Sequence, residues 1–122
     1  MSYESDEKKL KAGMEVVEKL NFLSHAGSAI SDDFRQHTIE TLFGGVWTRP
    51  GLEIEERSLI TVASLISLNR ENELRLHFRG ARNLGFSKEK LEEVIFSSCA
   101  LCRLAKLSNC QQCLRFSMEG NG

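Results

Sequence analysis

A single proline, Pro50, interrupts 122 residues in which apolar side chains recur every three to four positions. Helix interiors exclude proline, so its scarcity leaves long stretches open to helix. No segment shows the sustained apolar–polar alternation of a half-buried strand. Leucine, glutamate, lysine and arginine are frequent between the apolar positions, and all four suit helices. The chain is therefore expected to be all-α, a single domain over residues 1–122 with a modest core. It contains no internal repeat and no low-complexity linker.

The periodicity predicts a first amphipathic helix from about Asp6 to Phe22, with Leu10, Met14, Val17 and Leu20 on one face. Ser24 to Ile30 reads as a loop. Ser31, Asp32 or Asp33 can cap a second helix by accepting the free N–H groups of its first turn. That helix is expected to reach Leu42 and stop near Gly44-Gly45. Trp47-Thr48-Arg49-Pro50-Gly51 is turn chemistry. A third helix, about Ile54 to Leu68, carries Leu59, Ile60, Val62, Ala63, Leu65 and Ile66 around most of its circumference, and so predicts the central buried helix. A fourth follows from about Glu71 to Leu84, closed by Gly85 as a left-handed cap. Ser87 caps the fifth, whose inner face is expected to carry Leu91, Val94, Ile95, Ser98, Cys102 and Ala105. Ser108-Asn109 can break it and start a short last helix.

Charge and hydropathy remove several function classes. A net charge of −1 gives no basic field for nucleic acid or anionic lipid. No apolar run approaches the roughly 18 residues of a membrane span. The opening residues lack the apolar core of a secretory signal, so a cytoplasmic location is expected.

Glu73 and His77 stand one helical turn apart on the fourth helix. A carboxylate can hold and tune an imidazole at that spacing, and imidazole titrates nearest neutral pH. The plainer alternative is a surface pair contributing a few tenths of a kcal/mol. His37 reads as an exposed helix residue.

Cys99-x-x-Cys102 and Cys110-x-x-Cys113 suggest a zinc site at first. On one continuous helix the two pairs lie about 16 Å apart, whereas zinc needs all four sulfurs at about 2.3 Å. No metal is expected. A redox role is the stronger challenge: a helix starting at Ser108 or Asn109 would put Cys110 at its N-terminus, where the dipole lowers a thiol pKa and Cys113 can resolve a disulfide. The alternative is small buried thiols.

Several rare residue types recur at family-like spacings. These are Phe34 to Glu40, Gly44-Gly45-Val46-Trp47-Thr48-Arg49-Pro50-Gly51-Leu52, Arg57-Ser58-Leu59, Glu73-Leu74-Arg75-Leu76-His77, Arg79-Gly80-Ala81, Asn83, Gly85 and Glu92-Glu93-Val94-Ile95. On them the chain resembles the carboxymuconolactone decarboxylase family, within the alkylhydroperoxidase D-like group. The resemblance is firm over 34–96, while 99–122 diverge. It implies an alkylhydroperoxidase D-like helical subunit assembling into a ring-shaped homo-oligomer, a trimer or hexamer, with active sites near subunit contacts. The peroxidase-like members carry Cys-x-x-Cys-x-x-x-His on the fourth helix. Here Arg70 and Glu73 take the cysteine positions and His77 is retained, which is the decarboxylase form.

The resemblance implies cofactor-independent loss of CO2 from 4-carboxymuconolactone or a related β-keto acid, in the breakdown of aromatic compounds. Electrons left by the carboxylate pass through the ring double bond into the lactone carbonyl, and the dienolate is protonated on carbon. The implied roles are proton delivery by His77 with Glu73, and substrate binding among Arg70, Arg75, Arg49, Trp47 and His25. Arg57 and Arg79 compete for the same carboxylate, which an arginine fork grips in bidentate fashion. Trp47 is equally a core residue. His25 falls near a family histidine of the N-terminal loop. Decarboxylases carry an aromatic-small-Gly-x-Pro stretch where this chain has Leu101, Cys102, Arg103 and Ala105. Two other readings stay open: a thiol–disulfide or peroxide-reducing, peroxiredoxin-type protein using Cys110 and Cys113, and a non-catalytic helical assembly module.

Overall fold

The computed structural model describes residues 6–22, 31–102, 112, 114 and 115. Every regular element among them is helical, and no helix among them is long and apolar enough to cross a membrane. The chain divides into two compact units, Met1–Ile54 and Glu55–Gly122.

In the first unit, α1 (Glu7–Leu20) starts where the Asp6 carboxylate accepts the backbone N–H groups of Lys8 and Lys9, each at 3.1 Å. It ends at Asn21, whose φ of 55° turns the chain left-handed. The N–H of Phe22 then closes on the carbonyl of Val17. The Ser31 hydroxyl accepts the Phe34 N–H at 3.3 Å and opens α2 (Asp32–Thr38).

The predicted stop at Gly44-Gly45 does not occur. The helix continues as π1 (Ile39–Val46), a π-helix in which the Trp47 N–H bonds the Leu42 carbonyl five residues back. Two hydroxyls draw on carbonyls at its start, Thr38 on Phe34 and Thr41 on His37, a competition that bends regular helix. The glycines serve a different purpose from a stop. A Cβ on Gly13 would strike the Ile39 carbonyl, and one on Gly44 would strike that of Lys9. α1 and π1 thus meet backbone to backbone, which only glycine permits. Phe22, Phe43 and Trp47 fill the core beside this contact, their rings 5.9 Å and 5.3 Å apart in sequence order.

The turn after π1 ends with Gly51 at φ 107°, and α3 (Ile54–Leu68) begins as expected. Asn69, left-handed at φ 58°, and Arg70 connect it to α4 (Glu71–Asn83). Gly85 at φ 102° closes α4, and the Ser87 hydroxyl accepts the Lys90 N–H to start α5 (Lys88–Cys102).

The core of the second unit joins Val62 and Ile66 of α3, Leu74, Phe78 and Ala81 of α4, and Leu91, Ile95 and Cys99 of α5 with Leu114. α3 is not buried all round. Its covered stripe is Ser58, Val62 and Ile66, whereas Ile60 is 53% and Leu68 68% exposed. Leu59 and Leu65 pack against the core at the edges of this stripe, whereas Ile60 and Leu68 remain exposed.

Candidate active site

α4 positions the predicted acid–base pair. Its inward stripe is Leu74, Phe78 and Ala81, and His77 lies at the edge of that stripe, three residues after Leu74 and four before Ala81. The imidazole is therefore half-buried, and its Nδ1 is shielded from solvent. Burial pushes its pKa from the usual 6.5 down to about 4 because the low-dielectric surroundings disfavour the cation. The negative charge of Glu73, exposed one turn earlier, works in the opposite direction and recovers only part of the shift. At neutral pH the ring is uncharged, able to donate from one nitrogen and accept at the other.

Two arginines share α4 with it. Arg75 and Arg79 leave α4 about 160° around the axis from His77, both half-buried with shielded Nε atoms. Arg70 is exposed at the entrance to α4, three residues before Glu73. Arg57, half-buried on α3, has a shielded Nε.

In the first unit, Trp47 is 4% exposed and packs on Phe43 as a core residue. Arg49 is exposed in the turn that follows. His25, Cys110 and Cys113 lie outside the described residues, as do Arg103 and Ala105. Of the other cysteines, Cys99 is a buried free thiol and Cys102 ends α5. Among the described residues, no three His, Cys, Asp or Glu side chains gather as metal ligands.

Two buried polar groups lie outside the predicted site residues. Glu40 of π1 is 2% exposed. Ser58 of α3 is wholly buried, and its hydroxyl finds no hydrogen-bond partner among the described residues. The available signal for Ser58 was its place four and eight residues before Val62 and Ile66, the spacing of a buried face.

Known proteins share this arrangement of sequence. The carboxymuconolactone decarboxylase family model matches residues 32–116, a span that includes Ser58, Glu73 and His77. A 4-carboxymuconolactone decarboxylase from Acinetobacter baylyi is 37% identical over 103 residues, covering 80% of this chain and 76% of that protein. A nitrosuccinic acid decarboxylase from Metarhizium robertsii is 38% identical over 63 residues, covering 52% of this chain and 44% of that protein.

Proposed function

This chain belongs to the carboxymuconolactone decarboxylase family, and on that premise we propose that it is a cofactor-independent decarboxylase of the 4-carboxymuconolactone type. The names of both relatives describe loss of CO2 from an acid. In each substrate an acceptor can take the electron pair that CO2 leaves behind: a lactone carbonyl through a double bond, or a nitro group. The common demand on the protein is to hold carboxylates, stabilise the charged oxygen and return one proton to carbon.

The observation that carries this reading is the sheltered imidazole of His77 with the Glu73 carboxylate one turn away. In the free chain His77 is neutral at pH 7. A bound dicarboxylate raises its pKa, since an opposite charge within a few ångströms favours the cation. Substrate thus loads the ring with the proton that the dienolate carbon later receives. Arg70, close in sequence to Glu73 and exposed, is the carboxylate clamp this arrangement favours. Arg75 faces away from His77 on α4, and Arg49, Trp47 and His25 enter as substrate-side candidates through the family resemblance. The uncovered Ile60 and Leu68 support assembly into a ring-shaped homo-oligomer, trimeric or hexameric.

The test is CO2 release from 4-carboxymuconolactone by the purified protein. His77→Ala is expected to lower turnover about 10²–10⁴-fold, the usual contribution of a positioned acid or base. A non-reactive dicarboxylate should raise the His77 pKa in 15N-histidine NMR titrations. Wild-type turnover indistinguishable from His77→Ala overturns the assignment.

A further inference from the structure

The outer face of α3 is patterned about its middle. Ile60, Ser64 and Leu68 recur at steps of four and share one side of the helix. Ile60 is 53% and Leu68 68% exposed, and the small Ser64 between them is exposed as well. Beside this line Ala63, Ser64, Ser67 and Leu68, with Ser98 of α5, form an open groove of about 450 Å3. The Ser67 hydroxyl is satisfied within its own helix by the Ala63 carbonyl at 3.1 Å. Among the described residues the groove lining carries no charge, which makes it a poor seat for a carboxylate and a good one for an aliphatic side chain.

Protruding side chains and a hollow thus lie together on one helix, the arrangement of a surface that pairs with itself. When two α3 helices cross antiparallel at Ser64, Ile60 of each copy comes level with Leu68 of the other, because both stand four residues, about 6 Å, from the crossing. At that level Ile60 of the second copy meets the groove. A serine at the crossing lets the two backbones approach closely. The charges select the direction. Glu55 and Glu56 stand in the first turn of α3, and Arg70 is exposed just beyond its last. Antiparallel pairing sets the acidic end of one helix beside the basic end of the other and opposes the two dipoles, whereas parallel pairing sets like charge on like.

We propose that α3 forms a two-fold contact between two copies of this chain, with Ser64 at the axis and Ile60 of each copy seated in the groove of the other. The inference deepens the assembly reading given above and rests on it. A cyclic trimer contains no two-fold axis. The contact therefore makes the dimer the building unit, and a ring built from it holds six chains as three pairs. Helix axes about 8–10 Å apart put the two Cα atoms of a residue at the crossing about 3.5–5.5 Å from each other, a separation that overlaps the roughly 4.4–6.8 Å a disulfide spans.

The experiment reads this geometry by cross-linking in the full chain, with the wild type and its own four cysteines as the control. Ser64→Cys, oxidised with copper phenanthroline, is expected to run as a disulfide-linked dimer on a non-reducing gel. Ile60→Cys is expected to stay unlinked, because the two-fold holds its two copies about 12 Å apart along the helices. Ile60→Cys combined with Leu68→Cys should link. Light scattering should give six times the chain mass for the wild type and three times for Ser64→Arg, which brings two cations together at the axis. The substituted position is exposed, so helix content by circular dichroism should not change. Ser64→Cys that links no more than the wild type, linkage of Ile60→Cys alone, or an unchanged mass for Ser64→Arg overturns the proposal. A wild-type mass three times that of the chain also overturns it and leaves the ring standing. A wild-type dimer keeps the two-fold contact and ends the ring, and a monomer ends both.

Discussion

His77 shows how far residue type carries and where it stops. Its presence four residues after Glu73 is legible in the chain, and so is the chemistry of that pairing. Its charge state is not. The pKa of about 4 arises from burial, which spacing along one helix does not reveal. The sign of the pH effect follows. Between pH 6.5 and about 4 the unfolded chain binds a proton at this ring and the folded chain does not, so stability falls as pH falls through that window and the effect levels off below about 4. The loss attributable to His77 should be on the order of 2–3 kcal/mol between pH 7 and pH 4. Denaturant unfolding of wild type and His77→Gln across this range checks it, because the wild type should show the steeper fall, the difference between the two reporting His77. Equal slopes in the two proteins refute the buried neutral ring. Ser58 illustrates the converse case: serine is common, and only its burial without a partner among the described residues makes it informative.

At the scale of elements, α3 spans Ile54–Leu68 as its periodicity predicts, because a turn containing Pro50 and Gly51 precedes it and a left-handed Asn69 follows. In the segment before that turn the structure departs from what local propensity predicts. A Gly-Gly pair looks like a helix stop, since glycine adopts the left-handed conformation of a cap. Here Gly44 serves a close approach of π1 to α1, a contact across some thirty residues that local propensity cannot register. The adjacent glycines should therefore differ under substitution. Gly44→Ala, like Gly13→Ala, forces two backbones apart and should cost about 1–3 kcal/mol. At Gly45 a Cβ would meet nothing closer than the Glu40 carbonyl at 3.5 Å, so Gly45→Ala should be neutral or stabilise by up to about 1 kcal/mol, the difference between the two residues in helix. Thermal melts of the three variants decide, and equal melting temperatures for Gly44→Ala and Gly45→Ala contradict the close-approach account.

For the whole molecule, helicity throughout the described residues was legible from a period near 3.6 and a single proline. The uneven burial of α3 was not. Its apolar circumference predicts a helix surrounded on all sides, yet within one chain Ile60 and Leu68 face outward. The proposed oligomer would cover these residues. Light scattering should give three or six times the chain mass, and Leu68→Glu with Ile60→Glu should reduce it; a monomeric wild type contradicts the assembly. What the sequence determined by itself was local: where helices form, and that an acid and an imidazole stand one turn apart, because both depend on spacing along one segment. Tertiary structure alone decided which faces are dry. Desolvation comes from neighbours distant in the chain, and it is desolvation that makes His77 neutral, silences the Ser58 hydroxyl and brings two glycines together.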